Sequence, residues 1–248
     1  MAAPQSYPLY QAYVTNVRDF LLAETEIRRL INRAMKGGRE QTVNVQTKVY
    51  ALIYSTFAEA NFIKMVLTPY GFDQPFIDQI LHERNNLQQK WIKCLELAFQ
   101  KFTATRKGSE VPNKVQELKR IILRYVIEPS IIRNKLAHGQ ISVATNSSNT
   151  VVNNEITDKI NDLSFVNIMR LFYINQALCD IMEDLIESPD MAHRDNYYPK
   201  YQALETYIEK SEIWTNESKL QHGNMKKMIP SKKEKAIRQA AANNTATI

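Results

Sequence analysis

Hydrophobic residues recur every three to four positions along most of this chain, the spacing that gives an α-helix one apolar face. The first stripe covers residues 10–34 and ends at the pair Gly37 and Gly38. A second covers about residues 45–67. Both stripes predict long helices that bury one side against a neighbour.

A third stripe predicts one helix from Pro75 through Trp91 to about Phe102, with Asp73 as its N-cap and proline in its first turn. Residues 106–112 are polar and predict a connection. Asn113 followed by Gln116 resembles a capping box, which places the start of a fourth helix there. The apolar face of that helix comprises Val115, Leu118, Ile122 and Tyr125.

The fourth apolar stripe continues through Pro129, so the chain either kinks at the proline or restarts a helix with it. Both alternatives leave residues 133–138 helical. The stretch 139–162 is rich in Ser, Thr, Asn and Val, and residues 141–145 and 150–152 are able to pair as a small hairpin. A strongly apolar fifth helix is predicted at 163–186, in the centre of the bundle, and a further helix at 199–213.

These elements predict an all-α fold, with about five long helices in an antiparallel bundle and a small irregular or hairpin insertion. Residues 1–190 form the predicted bundle. Residues 191–248 form a C-terminal helical extension whose Lys- and Ala-rich end is expected to be partly disordered.

The net charge of +6 at neutral pH is concentrated near the C-terminus. Six basic residues against Glu234 give residues 225–248 a net charge of +5, so the rest of the chain carries only +1. Such a tail attracts polyanions non-specifically, but it serves equally well as a solvated extension. The isoelectric point therefore does not identify a nucleic-acid-binding protein.

Two distant cysteines, Cys94 and Cys179, are typical of a reducing compartment rather than of a disulfide framework. The four histidines have no cysteine or carboxylate partners at metal-ligand spacing, so we expect neither a metal nor another cofactor. No secretion signal and no long apolar run is evident. These features predict a cytoplasmic protein without a membrane partner.

The candidate chemistry lies in residues 133–139, Arg-Asn-Lys-Leu-Ala-His-Gly. On a helix, Asn134 and His138 share a face, and Arg133 lies one position around the cylinder. The guanidinium, amide and imidazole are therefore able to converge on one phosphate. Gly139 predicts the end of the helix directly after His138, whose imidazole is able to donate or accept a proton near neutral pH.

At this point the sequence resembles the HEPN superfamily, whose hallmark is Arg-x(4 to 6)-His with a polar residue after the arginine. Arg133, Asn134 and His138 match that motif. The segment 54–64 is also similar to a Ser-x-Phe-Glu-Ala helix of several members, although Ala58 separates Phe57 from Glu59. The resemblance covers about residues 10–187 as a pattern of helices.

The resemblance implies a helical bundle that dimerises and cleaves RNA without a metal, as a toxin or an antiviral defence effector. Cleavage by the 2′-hydroxyl of RNA needs a base, an acid and positive charge at the phosphorus, and two opposed copies of the motif supply two histidines. Arg133 is then expected to clamp phosphate oxygens, and Asn134 to orient His138 or the phosphate. An antitoxin or another regulatory partner is implied as well.

Simpler alternatives remain open. Arg133 and Asn134 are able to satisfy helix ends or loop carbonyls while His138 caps the helix. Glu59, at the edge of the second apolar stripe, either pairs with Arg133 or His138 or forms a surface ion pair; Lys135 is a supporting candidate whose position favours a solvated side chain. The competing function is a non-catalytic nucleotide- or RNA-binding module, or a helical adaptor in a defence complex.

Overall fold

The predicted all-α class is confirmed. A computed structural model describes residues 6–82, 86–101 and 110–221 of the chain, and within these ranges the fold is a helical bundle. The basic tail and the residues 102–109, which include most of the predicted polar connection, lie outside the described residues.

In the described part of the chain, ten α-helices precede a last helical stretch at residues 216–221, and two of the junctions between the ten are π-helical. The helices are α1 (Tyr7–Lys36), α2 (Glu40–Val66), α3 (Gln74–Leu81), α4 (Leu87–Gln100), α5 (Glu110–Ile122), α6 (Glu128–Ala137), α7 (Asn154–Asn161), α8 (Phe165–Glu187), α9 (Pro189–Met191) and α10 (Tyr197–Glu212). A π turn, Leu123–Ile127, joins α5 to α6, and a second, Ala192–Asn196, joins α9 to α10.

The long helices α1, α2, α8 and α10 confirm four of the predicted stripes. Only α2 differs by more than three residues at an end, since it begins at Glu40 rather than near Val45. Glu40 and Gln41, which are good helix formers, begin the helix two residues after the Gly37–Gly38 turn. As predicted, α8 is buried along most of its length and packs on α2, α4 and α10.

The single helix predicted at 75–102 is wrong, because the structure has two helices there. Asn86 begins a new helix, since its side-chain oxygen accepts hydrogen bonds from the backbone N–H groups of Gln88 and Gln89. Asp73 does occupy the N-cap position of α3, but its side chain forms no capping hydrogen bond. The apolar periodicity of the sequence continues across the break between α3 and α4, so it gives no sign that Asn86 caps a new helix.

The predicted capping box at Asn113 and Gln116 is also wrong, because α5 already contains both residues and begins at Glu110. The helical path then continues without interruption through the π turn into α6. Pro129 lies in the first turn of α6, directly after the π turn, so the chain does not restart a separate helix at the proline.

Pro129 also explains how this helix is attached to α2. Proline has no N–H to donate to the carbonyl four residues earlier, that of Tyr125. The hydroxyl of Tyr54 on α2 donates to this carbonyl at 2.9 Å, and both partners are buried. The hydroxyl of Tyr54 therefore joins α2 to this helix a short distance before the motif residues.

We expect Tyr54→Phe to lower the free energy of unfolding by about 1 to 2 kcal/mol, because it removes a buried hydrogen bond between α2 and the carbonyl of Tyr125. Urea unfolding monitored by circular dichroism measures this. Tyr13→Phe is the matched control, since the Tyr13 hydroxyl forms no hydrogen bond with the described residues. Equal stability of the two variants would contradict this role for the hydroxyl.

The insertion between α6 and α8 is mostly irregular. Of the predicted hairpin, the described residues show only one antiparallel bridge, between Thr145 and Val152. The short helix α7 was not predicted; Asn153 caps it by accepting from the backbone N–H of Ile156. A two-turn helix with a single fully buried residue, Ile160, carries too little periodicity to be recognised.

Two apolar cores lie end to end along α2 and α8. One joins the last turns of α2 to α3, α4, α5, α10 and the second half of α8. The other joins the first half of α8 to α1, the middle of α2, and Leu136 of α6. The motif helix α6 is therefore held on α2 close to the junction of the two cores.

Candidate functional site

Arg133 lies on the side of α6 that faces α2. Its Nη1 is 3.5 Å from Oε2 of Glu59, and the side chains are 24% and 52% exposed, respectively. Glu59 thus pairs with Arg133, but as an exposed ion pair at the surface. The long distance and the exposure of Glu59 make this a weak pair, worth about 1 kcal/mol or less.

A narrow cleft separates the Arg133 side chain from α2 and α4. It is lined by Tyr54, Ser55, Ala58, Glu59, Leu87, Trp91, Val126, Ser130 and Arg133. Its volume is about 10 Å³, which is water-sized. A nucleotide does not fit inside it, so a phosphate that binds Arg133 has to approach from the solvent side.

Two buried donors that border this cleft have no hydrogen-bond partner among the described residues. They are Nε of Arg133 and the indole Nε1 of Trp91, whose side chain is fully buried. Trp91 was predicted only as part of a helix. Trp91 lies on the apolar face of its helix, as a core residue does, so the sequence pattern does not indicate that it borders Arg133.

Asn134 and His138 are exposed, and neither side chain forms a hydrogen bond with the described residues. His138 is the C-cap residue of α6, as the simpler alternative also proposed. Its backbone N–H donates to the carbonyl of Asn134 at 3.1 Å, which leaves the imidazole itself available to a ligand.

Gly139 ends the helix as the sequence predicts. It has a left-handed backbone, with φ of +81°, which L side chains rarely adopt. Its N–H bonds the Leu136 carbonyl at 3.1 Å, while the N–H of Gln140 bonds the Lys135 carbonyl at 2.9 Å, as in a Schellman motif. This closure fixes the direction in which the chain leaves His138.

Lys135 is half-buried and holds the following loop, so the expectation of a solvated side chain is wrong. Its Nζ donates to the carbonyl of Thr145 at 2.5 Å. The N–H of Thr145 in turn donates to Oε1 of Gln140 at 2.8 Å. We assign Lys135 to the support of the loop beside His138 rather than to the chemistry.

The structure brings Arg133 together with Glu59, but it does not bring Arg133 together with His138 in one chain. Five residues separate the two, so they lie roughly 140° apart around the helix. Arg133 is directed toward α2, whereas Asn134 and His138 share an exposed face. In one copy of the chain, Arg133 therefore lies at the cleft. Asn134 and His138 are exposed to solvent on another face of the same helix.

A surface with three cations, balanced by neighbouring carboxylates, lies upstream on the same continuous helix. It borders a shallow depression of about 430 Å³ lined by Gln116, Lys119, Arg120, Leu123, Arg124 and Glu128. Arg120 and Arg124 form ion pairs with Glu205 and Glu212 of α10. The α5 stripe was interpreted only through its apolar face, so this surface was missed.

The comparisons with known proteins do not extend these observations. No protein-family model matches the chain, and searches of curated proteins and of solved structures found no significant match. In the described part of the chain, none of the helices combines the length and apolar character that crossing a membrane requires. Nor do three His, Cys, Asp or Glu side chains of these residues form a group able to hold a metal ion.

Proposed function

We propose that this protein is a metal-independent RNA endonuclease of the HEPN type that its motif resembles. The observation that supports this proposal is the end of α6, where Asn134 and His138 are exposed on one face while Arg133 lies at the cleft toward α2. These three residues supply a proton-transfer group, an orienting amide and a fixed positive charge, which cleavage of a ribose-linked phosphodiester requires.

His138 in one copy removes the proton of the 2′-hydroxyl, which then attacks the adjacent phosphorus. The bond to the 5′-oxygen breaks, and that oxygen takes a proton from an acid. One chain offers a single motif histidine, so His138 of a second copy is the acid, and the active species is a homodimer. The products are a 2′,3′-cyclic phosphate and a 5′-hydroxyl.

Arg133 binds the phosphate from the solvent side of its cleft. A guanidinium offers a rigid fork of donors, and its attraction to the phosphate grows as charge develops in the transition state. Glu59 pairs weakly with Nη1 of Arg133 on the side that faces α2. This pair orients the guanidinium but does not fully neutralise its charge. Asn134 orients the imidazole or the phosphate.

The cellular role that follows is a toxin or an antiviral defence effector that acts on RNA in the cytoplasm. Such an enzyme has to be restrained, and we propose an antitoxin or another regulatory partner. Lys119 provides a contact for the RNA backbone on the helix that leads to the motif.

The test is incubation of the purified full chain with mixed RNA in EDTA. Fragments that appear without added metal support the proposal. Binding without fragments would favour the second candidate, a non-catalytic RNA-binding module. The separation of Arg133 from His138 within one chain is the observation that favours this alternative.

We expect Glu59→Gln to change the cleavage rate by less than about fivefold, since an exposed pair at this distance is worth about 1 kcal/mol or less. Initial rates on a defined RNA measure this effect. Glu26→Gln is the control, because Glu26 forms a more exposed ion pair with Arg29 on α1, far from the motif. A loss of more than 100-fold in Glu59→Gln alone would show that the carboxylate takes part in the chemistry.

A further inference from the structure

A second cavity, separate from the motif, lies between α8 and the helical residues 216–221. Its volume is about 390 Å³ and it opens to solvent. It is lined, mostly by apolar atoms, by Val166, Met169, Trp214, Ser218 and Lys219. Trp214 is 39% exposed and meets the ring of Tyr207 edge-on, with 5.7 Å between the ring centroids.

A half-buried cation stands in this cavity without an anionic partner. Nζ of Lys219 is 2.9 Å from Sδ of Met169 and 4.9 Å from the ring centroid of Phe165. In the described part of the chain, no carboxylate oxygen comes within 4.0 Å of it. Burial lowers the pKa of Lys219, and the nearby Arg28 lowers it further, against the opposite effect of Glu24.

Glu24, the acid whose charge raises the pKa of Lys219, is already engaged elsewhere. The carboxylate of Glu24 accepts a hydrogen bond from the hydroxyl of Tyr50 at 2.8 Å and pairs with Nε of Arg28 at 3.0 Å. Because Glu24 and Arg28 pair with each other, the positive charge of Lys219 remains unbalanced beside the apolar lining of the cavity. An anionic group placed at Lys219 would replace the hydration that the ammonium has lost.

The size of the cavity and the sequence that follows it restrict the occupant. A cavity of about 150 Å³ holds benzene, so one of this volume holds an apolar group of roughly a dozen non-hydrogen atoms. The chain beyond residue 224 carries a net charge of +5, which opposes its insertion beside another cation. We propose that the cavity binds a small amphipathic monoanion, with its carboxylate or equivalent headgroup at Lys219 and its apolar body against Met169 and Trp214.

Three ligands of equal chain length test this with the full chain: octanoate, 1-octanol and octylammonium. Titration calorimetry gives the affinities, and Trp214 fluorescence reports occupancy, since the second tryptophan, Trp91, is fully buried. We expect octanoate to bind at one site, at least about tenfold more tightly than octanol, as a charged hydrogen bond implies. Octylammonium is expected not to bind.

Lys219→Met keeps the apolar stem and removes the charge, so we expect it to lose the preference for octanoate while octanol still binds. Lys219→Arg restores the charge and should restore the preference. Two controls should bind octanoate normally. One is Lys210→Met, at an exposed position of α10, and the other is a tail variant that combines Lys226→Met with Lys227→Met. Circular dichroism verifies that each variant is folded.

Equal affinity for octanoate and octanol, an absence of binding by either, or unchanged octanoate binding in Lys219→Met would each overturn the proposal. Loss of octanoate binding in the tail variant would assign the anion to the tail and overturn it as well. These outcomes do not depend on RNA cleavage, because no residue of the motif lines the cavity.

Discussion

His138→Ala is expected to reduce RNA cleavage by at least 100-fold, within the range of about 10² to 10⁴ that positioned acid or base groups contribute. In a homodimer the substitution removes both the base and the acid, which favours the upper part of this range. Because the imidazole is exposed and forms no hydrogen bond with the described residues, stability should change by no more than about 0.5 kcal/mol. Initial rates and urea unfolding on the same preparation separate the two effects.

The chain offers a matched control for this substitution. His82 is also an exposed histidine at the C-cap of a helix, α3, and its Nδ1 lies 2.9 Å from the carbonyl of Asp78. His82→Ala should leave cleavage unchanged. Similar losses in both variants, or full activity of His138→Ala, would contradict the assigned role.

Arg133→Ala is the companion substitution, since it removes the charge that binds the phosphate. Arg29→Ala, which breaks an exposed pair on α1, controls for the loss of an arginine as such. A cleavage defect in Arg133→Ala with the dimer intact separates phosphate binding from assembly.

Phe172→Ala is expected to lower the free energy of unfolding by about 3 to 5 kcal/mol. The ring is buried, and its centroid lies 5.2, 5.3 and 5.0 Å from those of Tyr50, Tyr54 and Phe57 on α2. Its removal opens a cavity between the two helices that run through both cores. For a typical domain, whose stability is about 5 to 15 kcal/mol, this is a large fraction.

Urea unfolding measures the effect, with Leu22→Ala as control. Leu22 is 61% exposed on α1, so its truncation should cost about 0.5 kcal/mol or less. A cost below 1 kcal/mol for Phe172→Ala would contradict the packing of α2 on α8 described above. A fall in cleavage that follows the unfolded fraction would be a consequence of stability, in contrast to the loss expected from His138→Ala.

The parts of the fold that the sequence predicts well are those in which local pattern and burial agree. The helices α1 and α8 carry long apolar stripes, and Gly139 ends α6 where a left-handed residue is needed. The break before α4 depends on one side chain, Asn86, that caps a new helix within an unbroken apolar pattern. Short polar helices such as α7 are below the length at which periodicity is informative.

The orientation of Arg133 could not be predicted from spacing because it depends on two features that spacing does not contain. The π turn adds a residue to the helical path and rotates α6 relative to α5. The Tyr54 hydroxyl then joins α2 to the carbonyl of Tyr125 in this turn. Together they direct Arg133 to Glu59, so the three motif side chains do not all share one environment within a chain.

The most direct test of the central claim is the chemistry at the cut ends. Mass spectrometry of a short RNA of known sequence, treated with the full chain in EDTA, should find fragments ending in a 2′,3′-cyclic phosphate and fragments beginning with a 5′-hydroxyl. The same RNA with 2′-O-methyl groups should stay intact. Fragments with 5′-phosphate ends, cleavage of the methylated RNA, or intact unmodified RNA would contradict 2′-hydroxyl attack assisted by Arg133 and His138.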